Sequence, residues 1–598
     1  MIPHLLKGTS SPLKTLIINA WLLVDNIELR YFIKPKLMES TFTAASRSFV
    51  KAKMSHCCKT HSLCRTATSG DFVPTRLLDT RASPASVIKL VRGTKENLEY
   101  VTLSHCWGKA QIIQLKQAVE GTFTGNGIPV ESLPPTFQQA VIVTRYLGIR
   151  YLWIDSLCIM QDSKDDWETE SALMASVYGH AVVNIAASSS SDSRGGLFYN
   201  RDPLVVQPFA ARGKNIPGLP NGWYLWKNDL RWSALSSQPL NRRGWVLQER
   251  LLSARTIHFS DTELIWHCLE DMASESVPLQ VNYGTATQLA VPIMHVGDYT
   301  DMRVAMAAVR RDGLTDDNKM KLYREWKRVL AHYTQCGLTS GGDKLVAVAG
   351  IVDRLEALSG DRCYAGLWRS EMPGCLVWLP EWGTEDQDAQ LVRQHGIPNE
   401  PVEWRAPSWS WASRDGALEY PKCPFVGTSK SLTHAEILDI SLEREPNGRI
   451  KAGPGSLVIR APLVDLDLGF TSRVGDIVSR WCTGYLTSVG DGLEAKFLVR
   501  TDGIVGEGSI YPKALLVQED WAYMFLLLQP LDPGSPILEG RHPQFRRIGV
   551  ALMAREDPEE PDHDHGAECW DFLQGISALA FHKRKTTWDP YIQEIEIR

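Results

Sequence analysis

Between Tyr100 and Ala187 the chain switches repeatedly between two apolar patterns. YVTLS (100–104) is a short run of strand-forming residues. Pro134-Pro135-Thr136 then opens a stretch in which Phe137, Ala140, Val141, Thr144 and Leu147 recur at helical spacing until Gly148 stops it. RYLWID (Arg150–Asp155) is almost continuously apolar, as a strand covered on both faces of a parallel sheet must be. Asp165, three residues before Glu168, makes a capping-box-like start to a helix running to about Tyr178, and AVVNIAA (Ala181–Ala187) is a third strand. Strand, helix, strand, helix, strand with short links predicts an open parallel α/β sheet.

The rest of the chain is patterned differently. Residues 1–71 form a weakly patterned lead-in ending in HCCKTHSLCR, and residues 72–270 hold the dense α/β block. Residues 271–402 begin with an aperiodic linker (to about 300) and continue as a helical region, with Leu322, Trp326, Val329, Leu330 and Tyr333 at helical spacing and a turn at Gly341-Gly342. Residues 403–598 are strand-like, from LVIRAPLVDLDL to the closing IQEIEIR, and the acidic run at 555–568 reads as a solvated loop.

Composition narrows the function classes. Lys and Arg number 64 against 69 Asp and Glu, a formal charge of −5, and no basic-aromatic stripe occurs, so a nucleic-acid partner is not expected. The twelve cysteines are scattered apart from Cys57, Cys58 and Cys64, which favours a reducing, cytoplasmic setting over a disulfide scaffold. The apolar stretch Leu16–Val24 is interrupted by Asn19 and ended by Asp25, a poor signal peptide, and no run of about 18 apolar residues spans a membrane. Neither a GxxxxGK[ST] loop nor a GxGxxG fingerprint is present, which disfavours a P-loop ATPase or an ordinary dehydrogenase. The 20 Trp outnumber Tyr and Phe and predict many large, rigid contacts.

In parallel sheets ligands bind beyond the carboxyl ends of the strands. There stand Ser104, His105, Cys106 and Trp107 after the first strand, Asp155, Ser156 and Cys158 after the second, and Ser188–Ser191 after the third. On the 166–178 helix, at about 100° per residue, Glu170 falls on the apolar face made by Trp167, Leu173, Met174, Val177 and Tyr178, whereas Glu168 faces solvent. Two readings of Glu170 stand: a buried ion pair with an arginine such as Arg145 or Arg150, or a pocket carboxylate with a perturbed pKa beside the Asp155 loop. Gln248, between Leu251 and Leu252 on the face of Trp245, reads as a core amide, and IHFS and ELIWHC as a hairpin. His105 and Cys106, neighbours on a strand, point to opposite faces and cannot activate one another. Cys57, His61 and Cys64, with Cys58 as a spare, are the right ligand types for zinc, but no second half with matching spacing follows; a packed, redox-inert cluster is expected and no metal is assigned.

Several segments together resemble the fungal heterokaryon incompatibility (HET) domain family: PTRLLD (Pro74–Asp79), YVTLSHCWG (Tyr100–Gly108), Leu133–Asp162, Asp166–Ser188, GGLF (Gly195–Phe198) and RGWVLQERLLSARTIHF (Arg243–Phe259). LTSGGDKLVAVAGI and RAPSWSWAS are similar to the trailing region of large HET proteins. The resemblance implies a role in non-self recognition and regulated cell death, with self-association through the HET domain and an incompatibility partner protein. HET domains in turn resemble TIR domains, a flavodoxin-like fold whose enzymatic members cleave NAD. In those members a Glu shortly after a Trp, on the helix following the third strand, carries catalysis; Trp167 and Glu170 occupy the similar place. The resemblance thus implies Glu170 as the catalytic carboxylate, with Ser104, Trp107, Asp155, Ser156 and Trp167 lining the site, NAD as substrate and no cofactor. A non-enzymatic signalling module with a structural Glu170, and a hydrolase using Cys106 or Cys158, are the competing readings.

Overall fold

A computed structural model describes residues 20–23, 37–95, 99–108, 112–206, 209–213, 222–226, 235, 238–276, 300–380, 401, 403–420, 432–451, 453, 455–465, 482–487, 494–501, 513–519, 522–531, 542–554 and 592–598. The acidic run 555–568 and residues 277–299 of the expected linker lie outside them. The chain divides into two compact units, Met1–Glu325 and Trp326–Arg598.

In the first unit the lead-in holds two helices, α1 (Ala44–Thr60) and α2 (Ser62–Ala67). The side chain of Thr43 caps α1 by accepting from the Ser46 N–H. The apolar pattern hides this helix for a physical reason. Its buried stripe is Ser46, Val50, Lys53 and Cys57, correctly spaced for one face but half of it polar. A strand at Ala20–Leu23 (β1) pairs with Gly222–Trp226, outside the main sheet.

The main sheet is built from β2 (Arg76–Asp79), β3 (Val87–Arg92), β4 (Tyr100–Ser104), β5 (Ile128–Pro129), β6 (Tyr151–Ile154) and β7 (Val183–Ala186), with three strands from beyond β8 (Phe209–Gly213) and β9 (Gly222–Trp226). Those three are β10 (Arg255–Phe259), β11 (Leu264–Cys268) and β12 (Met272–Ser274), and the order across the sheet is β12-β11-β10-β7-β4-β6-β2-β3-β5. The three expected strands β4, β6 and β7 are parallel neighbours, and β10 extends the parallel set alongside β7. Numbered along the chain, these four stand in the order 2-1-3-4, the arrangement of flavodoxin-like sheets.

The flanks are antiparallel, so the whole sheet is mixed rather than purely parallel. Short turns join β2 to β3 and β10 to β11, and a short turn permits only antiparallel pairing. Every residue of β4, β7 and β10 is buried, as strands covered on both faces require. The connections include three helices, α3 (Pro135–Tyr146), α4 (Lys164–His180) and α5 (Gly244–Leu252).

The second unit begins inside the helix Asp316–Tyr333 and continues with Val346–Ser359. Its core holds five of the 20 tryptophans, Trp326, Trp368, Trp378, Trp409 and Trp411, all fully buried. The Trp378 indole N–H donates to the Trp409 carbonyl (3.0 Å), and the buried Arg547 guanidinium lies 3.4 Å from the centre of the Trp378 ring. After short two-residue ladders (Cys363–Tyr364 with Leu367–Trp368, Leu379–Pro380 with Leu418–Glu419), the chain is mainly β, as expected. Strands Ser456–Asp465, Lys513–Glu519, Ala522–Pro530, Gln544–Ala554 and Ile592–Ile597 pair in succession, and the last pairs again with the first, closing a ring. No helix among the described residues is long and apolar enough to cross a membrane.

Candidate functional site at the carboxyl edge of the parallel strands

β4 delivers Ser104 to the carboxyl edge and continues as His105-Cys106-Trp107-Gly108. Gly108 has φ +69°, and a Cβ there would stand 2.3 Å from the Asp192 Cβ, so only glycine fits this turn. β6 delivers Asp155, whose two oxygens organise the loop: Oδ2 accepts the Trp107 indole N–H at 2.8 Å and Oδ1 accepts the Ser156 backbone N–H at 2.7 Å. His105 Nδ1 lies 3.7 Å from Asp155 Oδ1. Its ring stands edge-on to Phe137 of α3, and burial lowers its pKa to about 4, so the imidazole is neutral at pH 7. Arg243 donates to the His105 carbonyl. Ser104 exchanges hydrogen bonds with Asn184 of β7, whose amide also meets Thr102. Ser156 is fully buried, with its hydroxyl unpartnered among the described residues.

Glu249, on α5, completes this group. It is 3% exposed, bonds to the side chains of Ser104 and Tyr178, and leaves Oε2 without a hydrogen-bond partner among the described residues. Burial pushes its pKa up to about 7, with Asp155 adding to the rise and Arg243 opposing it. Sequence reasoning passed over it for Gln248, which is buried as a core amide should be. The available signal was its place four residues after Trp245, on the same helix face.

Glu170 is equally buried, at 2%, but sits differently. Because β2 runs antiparallel to β6, Thr75 and Arg76 lie at the carboxyl end of β6, and Glu170 bonds to the Thr75 side chain beside Arg76. Arg76 itself donates to the Cys158 carbonyl (2.9 Å) and pairs with Asp166. Burial raises the Glu170 pKa while Thr75 and Arg76 oppose the rise. Neither arginine proposed as its partner reaches it. Arg145 donates to the carbonyls of Thr80 and Ala85, and Arg150 pairs with Asp79 at 2.8 Å. Trp167 packs edge-on against Trp245, joining α4 to α5. Glu168 is exposed enough to face solvent, 3.6 Å from Lys164.

The thiols at this edge are buried, which disfavours the nucleophilic thiolate. Burial pushes Cys106 up to about 11 and Cys158 up to about 12, so both are protonated at pH 7. Cys106 packs with Ala186, Leu240 and Val246, whereas His105 packs on Phe137, in keeping with their opposite facing. Ser188 bonds to His258 (3.2 Å), Ser189 to Gln238 and Ser190 to Tyr199, all structural links.

Residues 100–249, from the first residue of β4 to Glu249, match the family model of the heterokaryon incompatibility protein (HET). The chain carries a HET domain. No curated protein and no solved structure matches the chain. The HET segment holds the whole Ser104–Trp107–Asp155–Glu249 group, but the flanking strands β2, β3, β10, β11 and β12 lie beyond it.

Proposed function

We propose that this HET domain is an effector of non-self recognition and regulated cell death, acting in the cytoplasm by cleaving the bond between nicotinamide and ribose in NAD, with Glu249 as the catalytic carboxylate. The HET match supports a heterokaryon-incompatibility type of function for the chain. The observation that carries the chemical reading is the Glu249 oxygen that has no hydrogen-bond partner among the described residues, at the carboxyl edge beside the loop that Asp155 ties to Trp107. α5 follows the third parallel strand, and Trp245 precedes Glu249 on it. That order along the chain supports reading Glu249, rather than Glu170, as the carboxylate to which the TIR resemblance gives catalysis. Trp167 and Glu170 stand on the helix after the second parallel strand instead.

In the reaction the C1′–N bond breaks and its electron pair leaves with neutral nicotinamide. A carboxylate beside the ribose stabilises the oxocarbenium-like transition state, and the water that adds to C1′ gives up one proton. The leaving group needs no strong acid, so one carboxylate suffices. Trp107 offers a ring face for stacking, and the Asp155 bond to its indole holds that ring in place.

The test is purified full-length protein with NAD, following nicotinamide release. Glu249→Gln should lose at least about 100-fold in turnover. An active Glu249→Gln protein would remove the catalytic assignment. If the wild-type chain leaves NAD intact yet still kills cells, the self-associating, non-enzymatic module is the correct reading.

A further inference from the structure

At the opposite edge of the same sheet, Cys57, His61, Cys64 and Cys268 are all buried, and one ligand atom from each lies within 4.8 Å of the others. We propose that these four side chains bind one zinc ion in a closed Cys3His site that fastens α1 and α2 to the sheet. The local half is the spacing Cys57-x3-His61-x2-Cys64. α1 ends and α2 begins at His61, whose extended backbone (φ −86°, ψ 106°) breaks the helix and turns Cys64 back toward Cys57. Cys58 is exposed and takes no part.

The missing half is a single residue 207 positions beyond His61. Cys268 ends β11, opposite Arg255 at the amino end of β10, and its Sγ lies 3.3 Å from His61 Nδ1. A zinc ion with Zn–S bonds of about 2.3 Å holds two tetrahedral sulfurs about 3.8 Å apart, which the 4.8 Å envelope accommodates. Three thiolates and one Zn²⁺ carry a net charge of −1, and the surroundings suit it. The Arg255 guanidinium donates to Cys57 Sγ (3.1 Å) and the Asp271 backbone N–H donates to Cys268 Sγ (3.2 Å), the outer hydrogen bonds that zinc-bound sulfur attracts. Four protein ligands leave no open coordination position, so the site is structural and takes no substrate. Two further links cross the same junction: Lys53 of α1 pairs with Asp271 (3.2 Å), and the Leu63 N–H of α2 donates to Glu270 (2.7 Å). All four ligands lie outside residues 100–249.

The experiment uses the full-length chain, purified without chelator and analysed for metal by mass spectrometry. One zinc per chain is expected, with loss of that zinc and a lower melting temperature in Cys268→Ser, and full zinc in Cys58→Ser. Cobalt(II) replacing the zinc in the unmodified chain should show the intense visible bands of tetrahedral coordination and a thiolate-to-metal charge-transfer band. That measurement decides the matter even if Cys268→Ser does not fold. A folded wild-type chain without zinc that also fails to give the tetrahedral cobalt spectrum overturns the site, as does a Cys268→Ser chain that retains its zinc.

Discussion

Three glutamates separate chemistry from packing at the scale of single residues. Glu168→Gln, at the surface, should change stability by no more than about 0.5 kcal/mol and leave activity alone. Glu170→Gln alters a buried group bonded to Thr75 beside Arg76 and should cost about 1–3 kcal/mol in thermal melts. Glu249→Gln should behave in the opposite sense. The folded-state pKa of Glu249 is raised to about 7 by burial, so its contribution to stability is complete below the unfolded value near 4.5 and is lost as pH rises through 7. Gln cannot ionise, so the variant should gain on the order of 3 kcal/mol over wild type at pH 8 while losing turnover. Wild-type turnover should rise with pH around a midpoint near 7, as the carboxylate forms. A flat pH profile, or a Glu249→Gln protein that melts lower at pH 8, would count against this assignment. Glu249 was legible only as one polar residue in RGWVLQERLL; its burial depends on β4 and α4 closing over it, which no local pattern records.

Among the elements, the loop after β4 depends on a backbone shape and on one carboxylate. Gly108→Ala places a methyl 2.3 Å from the Asp192 Cβ at a positive φ, so it should destabilise by more than about 1 kcal/mol and release Trp107 from Asp155. Trp fluorescence and chemical denaturation would register both effects. At the start of α4 the Ser163 hydroxyl accepts from the Asp166 N–H, and Ser163→Ala should cost about 1 kcal/mol. These strands and helices were readable because each carries its own period and punctuation: the apolar run of β6, the Pro135 start of α3, the polar start of α4. The cap of α4 is Ser163, two residues before the expected Asp165, because the Ser163 hydroxyl is the group that meets a free N–H of the first turn. α1 was not, because its buried face is Ser46, Val50, Lys53 and Cys57. A face of that composition is stabilised by what it meets, here Asp271 and the other sulfurs, rather than by its own hydrophobicity.

The whole molecule sets which pieces can stand alone. The HET segment 100–249 contains β4, β6 and β7, but β10, the neighbour of β7, and β2, the neighbour of β6, lie beyond its ends. A fragment cut at those limits would expose two apolar strand edges at once. It should aggregate, whereas residues 37–276, which keep β2 to β12, should give a monodisperse peak in gel filtration and a cooperative melt. A stable, soluble 100–249 fragment would show that the flanking strands are dispensable.

Local pattern by itself determined the three parallel strands, the helices between them, the HET motifs and the strand-rich character of the C-terminal region, because those follow from side-chain period and turn chemistry within a few residues. Tertiary structure alone decided which groups share a site. Glu249 reaches Ser104 and Tyr178 from 145 and 71 positions away in the chain, Arg76 takes the place beside Glu170 that Arg145 and Arg150 do not fill, and Cys268 joins Cys57, His61 and Cys64. The reason is common to all three. Sheet order brings distant strand ends together, and strand order is a property of packing, not of any window of the sequence.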